Sequence, residues 1–262
     1  MPILTHGSDL RLAPTLRPLV VATDGTVRAA LDQVRKLGFP AVQLDATLAG
    51  IRPRELSPRA RKDLAALFAR NDVQIAGIDL FLPRAHYVDA QHLDRAVAAT
   101  IGAIELAADL GRVTVSLSLP VSDLKDDVKS ALVEAADGHG VRLAVHAEDQ
   151  PDELIKWLDA VDMHCLGAGI DPAALLARSE KPVKAANRVS KRLASARLSD
   201  MSSGAVRCPV GEGELEVAGY RVALDLAAGR SGPVVLDLRG IERPAAAATA
   251  ARTAWEAAAF SV

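Results

Sequence analysis

The sequence contains few of the residues on which several protein classes depend. Its 2 cysteines in 262 residues cannot form a disulfide framework or a cysteine-rich zinc site, and free thiols are typical of a reducing compartment such as the cytoplasm. Aromatic residues make up 3%, too few to favour a stacking platform for single-stranded nucleic acid. No run of about 18 apolar residues predicts a membrane span, and the first residues do not resemble a secretion signal.

The charge of the chain is nearly balanced. There are 31 lysines and arginines against 33 aspartates and glutamates, a net charge of -2, so no global positive field would attract nucleic acid. Half of the residues (50%) are apolar and 24% are charged, which is typical of a folded globular protein rather than a disordered one. The length is sufficient for one α/β barrel or two modest domains.

Short strand-like segments alternate with longer segments of helical period along the whole chain, which predicts repeated βα units. The eight predicted strands are 11–16, Ala41–Asp45, 73–80, 113–117, 141–147, Leu166–Ile170, Leu193–Leu198 and 234–238. The eight predicted helices are 26–37, Pro58–Arg70, 90–110, 123–137, 152–160, 182–192, 217–228 and 244–259. Because about 33 residues per unit is the usual spacing of a (β/α)8 barrel, we predict a single TIM-barrel domain over residues 1–262.

Several predicted helix boundaries carry recognisable end signals. Ser57 followed by Pro58 is an N-cap with proline at the first helical position. Gly38, Gly111 and Gly140 stand where predicted helices end.

Glycine-rich nucleotide-binding motifs are missing from the sequence. No G-x-G-x-x-G follows the first predicted strand, and no G-x-x-x-x-G-K-[ST] occurs. Gly211 and Gly213 precede a predicted helix, and we interpret them as turn residues.

In a TIM barrel the chemistry lies at the C-terminal ends of the strands. The polar side chains at or just after these ends are Gln43, Asp45, Asp79, Arg84, His86, Ser116, Ser118, His146, Glu148, Asp171, Arg197, Ser199, Asp200, Asp237 and Arg239. His146, Asp171, Arg197 and Asp237 come from four consecutive strands, so we expect them to lie together. Two carboxylates and an imidazole can hold a divalent metal, but a guanidinium has no lone pair to donate and repels cations. We expect Arg197 to bridge Asp171 and Asp237 in the cation's place.

Five segments of the chain, in order, resemble strands of the xylose isomerase-like TIM barrels of the sugar phosphate isomerase/epimerase family, which includes ketose 3-epimerases and hydroxypyruvate isomerases. They are 38–45 (strand two), 140–146 (strand five), 166–171 (strand six), 196–200 with the loop 207–213 (strand seven) and 232–237 (strand eight). The resemblance implies a TIM barrel that acts on a small polyhydroxylated carbonyl compound, a carbohydrate or sugar phosphate, by proton transfer next to the carbonyl.

The resemblance also implies a metal site, which this chain has largely lost. The family binds one divalent metal through a glutamate, an aspartate, a histidine and a second glutamate on strands five to eight. Only Asp171 matches, whereas His146 replaces the first glutamate, Arg197 replaces the histidine and Asp237 is one methylene shorter than the second glutamate. The family's four ligands carry three negative charges and need a dication to compensate them. Here the charges of Asp171, Asp237 and Arg197 with a neutral His146 sum to only -1, so no metal cofactor is expected. If manganese, magnesium, zinc or cobalt binds, the ligands would be Asp171, Asp237, His146 and Glu148.

Two catalytic arrangements remain open among His146, Glu148, Asp171, Arg197 and Asp237. In the first, Glu148 lies on the same face of the strand as His146, and a local bulge brings it into the role of the missing glutamate. In the second, His146 is the base, Asp237 its acid partner, and Arg197 stabilises the enediolate without metal.

Four further side chains, Arg207, Arg239, Arg84 and His86, are candidates for gripping a phosphate or carboxylate at the rim of the barrel. The alternative to an enzyme is a non-catalytic barrel that keeps a carbohydrate-binding pocket and has lost metal and activity. Related barrels frequently self-associate, so a homo-oligomer is one expected form. No nucleic-acid or membrane partner is expected.

Overall fold

Ten strands occur in residues 10–23, 25–229 and 232–260, the part of the chain that our computed structural model describes. In chain order they are β1 Leu12–Pro14, β2 Ala41–Asp45, β3 Gln74–Leu80, β4 Thr114–Ser118, β5 Leu143–His146, β6 Leu166–Ile170, β7 Leu193–Leu198, β8 Asp200–Met201, β9 Arg207–Cys208 and β10 Val234–Leu236. Eight of them form one parallel sheet in the order β1-β10-β7-β6-β5-β4-β3-β2, and an isolated parallel bridge between Thr15 and Gln43 joins its two edges. This nearly closed barrel confirms the predicted (β/α)8 fold. The short strands β8 and β9 form a separate antiparallel hairpin after β7.

Helices surround the barrel and largely follow the predicted βα alternation. They are α1 Leu16–Ala22, α2 Val27–Lys36, α3 Pro58–Arg70, α4 Leu93–Asp109, α5 Asp126–His139, α6 Pro151–Val161, α7 Pro172–Leu176, α8 Pro182–Arg188, α9 Val217–Asp225 and α10 Pro244–Ala257. The first predicted strand, 11–16, was too long, because the backbone turns into α1 at Leu16 and buries Leu16, Leu19 and Val20 on one helical face. The predicted helix 182–192 ends at Arg188, and a second short helix, α7, precedes it.

The predicted end signals act as expected. The Ser57 hydroxyl accepts a hydrogen bond from the Ala60 amide (3.2 Å), with Pro58 at the first helical position of α3. Gly140 ends α5 in the left-handed conformation with φ of 61°, which a side chain with a Cβ would disfavour.

The register of the parallel strands determines which polar residues face the barrel interior. Asp79 on β3 lies opposite Ser116 on β4, and Arg197 on β7 lies opposite Val235 on β10. Because alternate residues of a strand point to the same face, Asp237 then shares the interior face with Arg197. The fold thus directs aspartate and arginine side chains from distant parts of the chain into one space.

No helix in the described part of the chain is long and apolar enough to cross a membrane.

Candidate functional site

Three aspartates and three arginines meet at the C-terminal ends of the barrel strands. We call them the mouth network: Asp79, Asp171, Arg197, Arg207, Asp237 and Arg239. The ion pairs among them join residues that are up to 160 positions apart in sequence (Asp79 to Arg239). The network therefore depends on the closed fold.

Arg197 lies at the bottom of the network with only 3% of its side chain exposed. Its Nη2 donates to Asp79 Oδ1 (2.6 Å) and its Nη1 to Asp237 Oδ2 (3.3 Å). Burial by itself would lower the pKa of Arg197, but the neighbouring carboxylates of Asp79 and Asp237 raise that pKa above its ordinary value. Arg197 is a permanently charged group inside the barrel.

The expected bridge from Arg197 to Asp171 is not the one observed. Asp171 is instead held by Arg207, whose Nη2 donates to its Oδ2 (2.6 Å), and by Arg239, whose Nη2 lies 3.6 Å from the same oxygen. Its other oxygen, Oδ1, accepts from the Ser199 hydroxyl (2.6 Å). Asp171 is therefore neutralised by Arg207 of β9 and by Arg239, which follows β10, and not by Arg197 as expected.

Asp237 is the most completely enclosed carboxylate of the network, with 0% of its side chain exposed. Arg239 Nε donates to its Oδ1 (2.8 Å), and Arg207 Nη1 lies 3.0 Å from its Oδ2. Burial would raise the pKa of Asp237, but its hydrogen bonds to Arg239 and the charges of Arg197 and Arg207 hold that pKa well below its usual range.

The charges of the mouth network cancel. Three carboxylates and three guanidiniums sum to zero, whereas the four sequence-selected residues sum to -1. A divalent cation needs oxygen or nitrogen lone pairs, and here the aspartate oxygens already accept hydrogen bonds from arginines. Across the described residues no three His, Cys, Asp or Glu side chains group as metal ligands would. The residues at this position, with their oxygens paired to guanidiniums, do not fit a divalent metal.

His146 and Glu148 form a separate pair beside the network. His146 Nδ1 lies 2.9 Å from Glu148 Oε1, which also accepts from the backbone amide of Asp171 (2.9 Å). The His146 ring packs over Gly169, where an added Cβ would lie only 2.3 Å from Nε2. Nε2 is buried and has no hydrogen-bond partner among the described residues. Glu148 positions the imidazole and the chain after β6, and the catalytic roles assigned to both residues stay predictions.

The four predicted rim residues divide into two groups. Arg207 and Arg239 are part of the mouth network, and 23% of each side chain is exposed. Arg84 is paired instead with Asp149 (2.6 Å), and the His86 ring stacks on His92 at 4.5 Å between centroids. The structure therefore does not bring Arg84 and His86 into the network, and their substrate-binding roles stay predictions.

An exposed aromatic residue adjoins the network. Phe81 follows β3 and is 61% exposed, and the Arg239 guanidinium lies 4.7 Å from the centroid of its ring. A single exposed hydrophobic residue is ordinary on a protein surface, so its contact with Arg239 is what connects Phe81 to the network. Sequence reasoning did not select Phe81, because a single phenylalanine after a strand is more often a core residue.

Sequence reasoning placed Asp79 among the polar residues at the strand ends but gave it no catalytic or binding role. Asp79 is the only charged residue of β3, and a carboxylate in an otherwise uncharged, largely buried strand requires a cationic partner inside the fold. That requirement was visible in the sequence, but the identity of its partners, Arg197 and Arg239, was not.

Arg207 is positioned by a loop that closes on a buried aspartate. Asp200, 1% exposed, accepts hydrogen bonds from four backbone amides, Met201 (2.8 Å), Leu215 (2.9 Å), Gly211 (3.0 Å) and Gly213 (3.0 Å). A Cβ at Gly213 would lie 2.3 Å from Asp200 Oδ1, so a glycine is required there. The interpretation of Gly211 and Gly213 as turn residues is confirmed.

Replacing Asp200 with alanine should loosen this loop and the arginine that it carries. The change leaves four amides without their acceptor, those of Met201 and Leu215 on buried residues, and we expect the free energy of unfolding to fall by about 3 kcal/mol. Hydrogen exchange should accelerate at the amides of Gly211, Gly213 and Leu215. The Asp200→Asn variant, which keeps one acceptor oxygen, should lose less; equal exchange rates in wild type and Asp200→Ala would show that the loop is held by other contacts.

Comparisons with known proteins agree with this fold. The sequence profile of the xylose isomerase-like TIM barrel family matches residues 31–257. The structure is similar to an L-ribulose 3-epimerase (16% identity, TM-score 0.76, 96% of each chain covered). It is also similar to a D-psicose 3-epimerase from Clostridium cellulolyticum H10 in complex with D-tagatose (14%, 0.70, 88% of this chain and 93% of that one).

A xylose isomerase-like TIM barrel protein from Mycobacterium smegmatis in complex with magnesium is comparable (17% identity, TM-score 0.72, 95% of this chain and 96% of that one). A search of curated proteins finds no sequence match. At these identities the structural likenesses support the fold alone, whereas the profile match covers most of the sequence. The chain belongs to the xylose isomerase-like TIM barrel family.

Proposed function

We propose that this chain is a metal-independent member of its family that binds a small, uncharged polyhydroxylated carbonyl compound at the barrel mouth. The observation that carries the proposal is the charge balance of the mouth network, in which three guanidiniums compensate three carboxylates. Two of the structural neighbours contain magnesium or zinc. Here the arginines occupy the aspartate oxygens that a cation would need.

Arg207 and Arg239 are the groups of the network best placed to contact a ligand. Each is about one-quarter exposed, and each contacts aspartates through only some of its five N–H donors. Donors of this kind bind sugar hydroxyl and carbonyl oxygens, and the exposed ring of Phe81 offers an apolar face beside them. A ligand with many hydroxyl groups and a small apolar face matches this arrangement.

The zero net charge favours an uncharged sugar over a sugar phosphate. A phosphate monoester would bring about two negative charges to a site whose guanidiniums are already paired with carboxylates. Arg84, which could have supplied further positive charge, is neutralised by Asp149. We therefore place unphosphorylated ketoses ahead of their phosphates as ligands.

A second function, proton transfer next to the substrate carbonyl, is favoured by the contact between His146 Nδ1 and Glu148 Oε1 (2.9 Å). A carboxylate that orients an imidazole is a common support for a general base. However, Nε2 packs against Gly169 and is shielded from solvent, so the ring would have to rotate or shift before it could accept a proton from substrate. Binding without turnover is therefore the function that the present geometry supports best.

One experiment separates binding from turnover. The purified chain is incubated with a panel of ketoses in D₂O containing EDTA, while calorimetry measures binding and NMR follows exchange of the hydrogen next to the carbonyl. We expect a ketose to bind with a Kd in the range of about 0.1–1 mM and no hydrogen exchange. Phe81→Ala should weaken binding about fivefold, because it removes the exposed apolar face.

Leu226→Ala is the matched control, since Leu226 is also a large exposed apolar residue (73%) but lies on the C-cap of α9. If the wild type exchanges the hydrogen next to the carbonyl and the His146→Gln variant does not, the chain is an isomerase, and the proposal of binding without turnover is wrong. Tighter binding of a ketose phosphate than of the ketose would contradict the charge argument.

Other expectations about the protein stay predictions. The two cysteines, Cys165 and Cys208, are free thiols, which is compatible with the expected cytoplasmic location. Homo-oligomer formation and the lack of a nucleic-acid partner are further predictions.

A further inference from the structure

A cavity of about 560 Å³ lies outside the barrel, between α3, α4 and the segments that follow β2 and β3. Four of its lining residues are arginines, Arg52, Arg54, Arg61 and Arg95, and we call it the arginine cavity. Its volume falls in the range of small-molecule sites, about 300–1,000 Å³. The mouth network contributes none of its lining residues.

The wall of the arginine cavity is made of small apolar groups. Ala98, Ala99 and Gly102 supply one side of it from α4, and Leu80 and Leu82 supply the other from the end of β3. The spacing of the α4 residues places them on one face of that helix. The wall leaves room for an apolar body rather than a hydrated ion.

Gly102 allows α4 to lie close to the segment around Pro53 on one side of the cavity. A Cβ on Gly102 would lie 3.3 Å from Cβ of Pro53, so the glycine lets the segment that carries Arg52 and Arg54 approach α4 closely. The arginines and the apolar wall are thereby held against each other.

Two of the four arginines are already neutralised. Arg52 Nη1 donates to Glu55 Oε1 (2.9 Å), and Arg61 Nη1 donates to Asp109 Oδ2 (2.8 Å). Arg61 Nη2 also lies 3.9 Å from Glu105 Oε2. Of these three carboxylates only Glu105 lines the cavity itself, and four guanidiniums minus all three carboxylates leave an excess of one positive charge.

Arg54 and Arg95 are the two lining arginines to which this count assigns no carboxylate. Within residues 10–23, 25–229 and 232–260 neither makes an ion pair, although both line the cavity. In addition, Nε of Arg61 is buried and has no acceptor in this same part of the chain, as is also true of Nε of Arg84 and Arg142. Groups of this kind are normally satisfied by an ordered water or a bound ion, so Arg54, Arg95 and the apolar wall, rather than Arg61, carry the proposal.

We propose that the arginine cavity binds a small organic monocarboxylate with an apolar body. The carboxylate accepts hydrogen bonds from Arg54 and Arg95, and the planar fork of a guanidinium suits the two carboxylate oxygens. The apolar body packs against Ala98 and the neighbouring small residues of α4. A single positive excess charge matches one carboxylate. This proposal does not depend on the function proposed for the barrel mouth.

Calorimetry with 2-naphthoate as the probe tests the proposal on the full chain. We expect saturable binding with a Kd below about 1 mM. Two control ligands separate the contributions of charge and apolar surface. 2-Naphthalenemethanol has the same naphthalene ring without a charge, and inorganic phosphate has charge without an apolar ring. Both should bind at least tenfold more weakly than 2-naphthoate.

Variants locate the site. The double variant Arg54→Gln with Arg95→Gln should weaken 2-naphthoate binding at least tenfold, and Ala98→Phe should weaken it by filling the cavity without changing charge. The matched control is Arg28→Gln with Arg35→Gln, two exposed arginines of α2, which should bind as the wild type does.

Three results would overturn the proposal. One is no binding of 2-naphthoate up to about 5 mM, a concentration above the expected Kd. Another is equal affinity in the Arg54/Arg95 double variant and its control. The third is binding that disappears in Arg207→Gln with Arg239→Gln but persists in the Arg54/Arg95 variant, which would place the carboxylate at the barrel mouth.

Discussion

Replacing Arg197 with methionine should lower the free energy of unfolding by about 3–5 kcal/mol, because removing one partner of a buried ion pair leaves an uncompensated buried charge. Methionine preserves much of the side-chain volume, so the loss reports on charge rather than on a cavity. Asp79 would lose its 2.6 Å hydrogen bond, and the network would carry a net charge of -1 in a space where Arg197 is only 3% exposed. Urea unfolding monitored by circular dichroism measures the change.

Two controls separate this interpretation from a general sensitivity to mutation. Arg17→Met removes an arginine that is 47% exposed and pairs with Asp45 at 3.0 Å, and it should cost less than about 1 kcal/mol. Adding Asp79→Asn to Arg197→Met should recover about 1 kcal/mol or more, because it removes the carboxylate that lost its 2.6 Å partner and returns the network to zero net charge. A loss below about 1 kcal/mol for Arg197→Met would mean that the guanidinium contributes little inside the barrel.

Converting the mouth network into a metal site should require the removal of all three arginines. The triple variant Arg197→His, Arg207→Gln and Arg239→Gln keeps Asp79, Asp171 and Asp237 and adds an imidazole, a set of ligands that suits Mn²⁺. We expect it to bind Mn²⁺ at least about 100-fold more tightly than the wild type, since three repelling charges are gone. Arg197→His alone should gain far less, because Arg207 and Arg239 still occupy Asp171 and Asp237.

Mn²⁺ should also raise the Tm of the triple variant, because a ligand that binds only the folded state stabilises it. Adding Asp171→Asn to the triple variant should abolish most of that gain by removing a ligand oxygen. If the single variant Arg197→His bound Mn²⁺ as tightly as the triple variant, the pairing of Arg207 and Arg239 with Asp171 and Asp237 would not be what prevents metal binding.

The fold could be predicted from sequence because its signals are local and repeated. Strand candidates such as Ala41–Asp45, Leu166–Ile170 and Leu193–Leu198 match the observed strands residue for residue, and the cap at Ser57 is present. The departures occur where local and tertiary preferences conflict. The predicted strand 11–16 includes Leu16, yet Leu16 begins the helix α1, whose residues Leu16, Leu19 and Val20 are buried against the barrel core.

The candidate site was only partly predictable. The strand-end rule predicts that His146, Asp171, Arg197 and Asp237 lie together. Arg197 contacts Asp237, and Arg207 and Arg239 join Asp237 to Asp171, whereas His146 pairs with Glu148 outside the network. Which aspartate pairs with which arginine depends on the reach and rotamer of each long side chain, and these do not follow from spacing in the sequence.

His146 and Glu148 show the same limit. The period of two correctly puts them on one face of the chain, and their side chains do form a hydrogen bond (2.9 Å). Their relation to Gly169, which brings the imidazole against the backbone of β6, requires the packed structure. The charge total likewise changed from -1 to zero only when Asp79, Arg207 and Arg239 were seen to join the network.

The most direct test of the account is a manganese titration of the metal-stripped wild-type chain, followed by elemental analysis of the dialysed protein. The account predicts a substoichiometric metal content and no saturable Mn²⁺ binding below about 1 mM, because the mouth aspartates are occupied by arginines. One tightly bound metal per chain, lost on Asp171→Asn, would contradict it and would mean that the guanidiniums move aside to admit a cation.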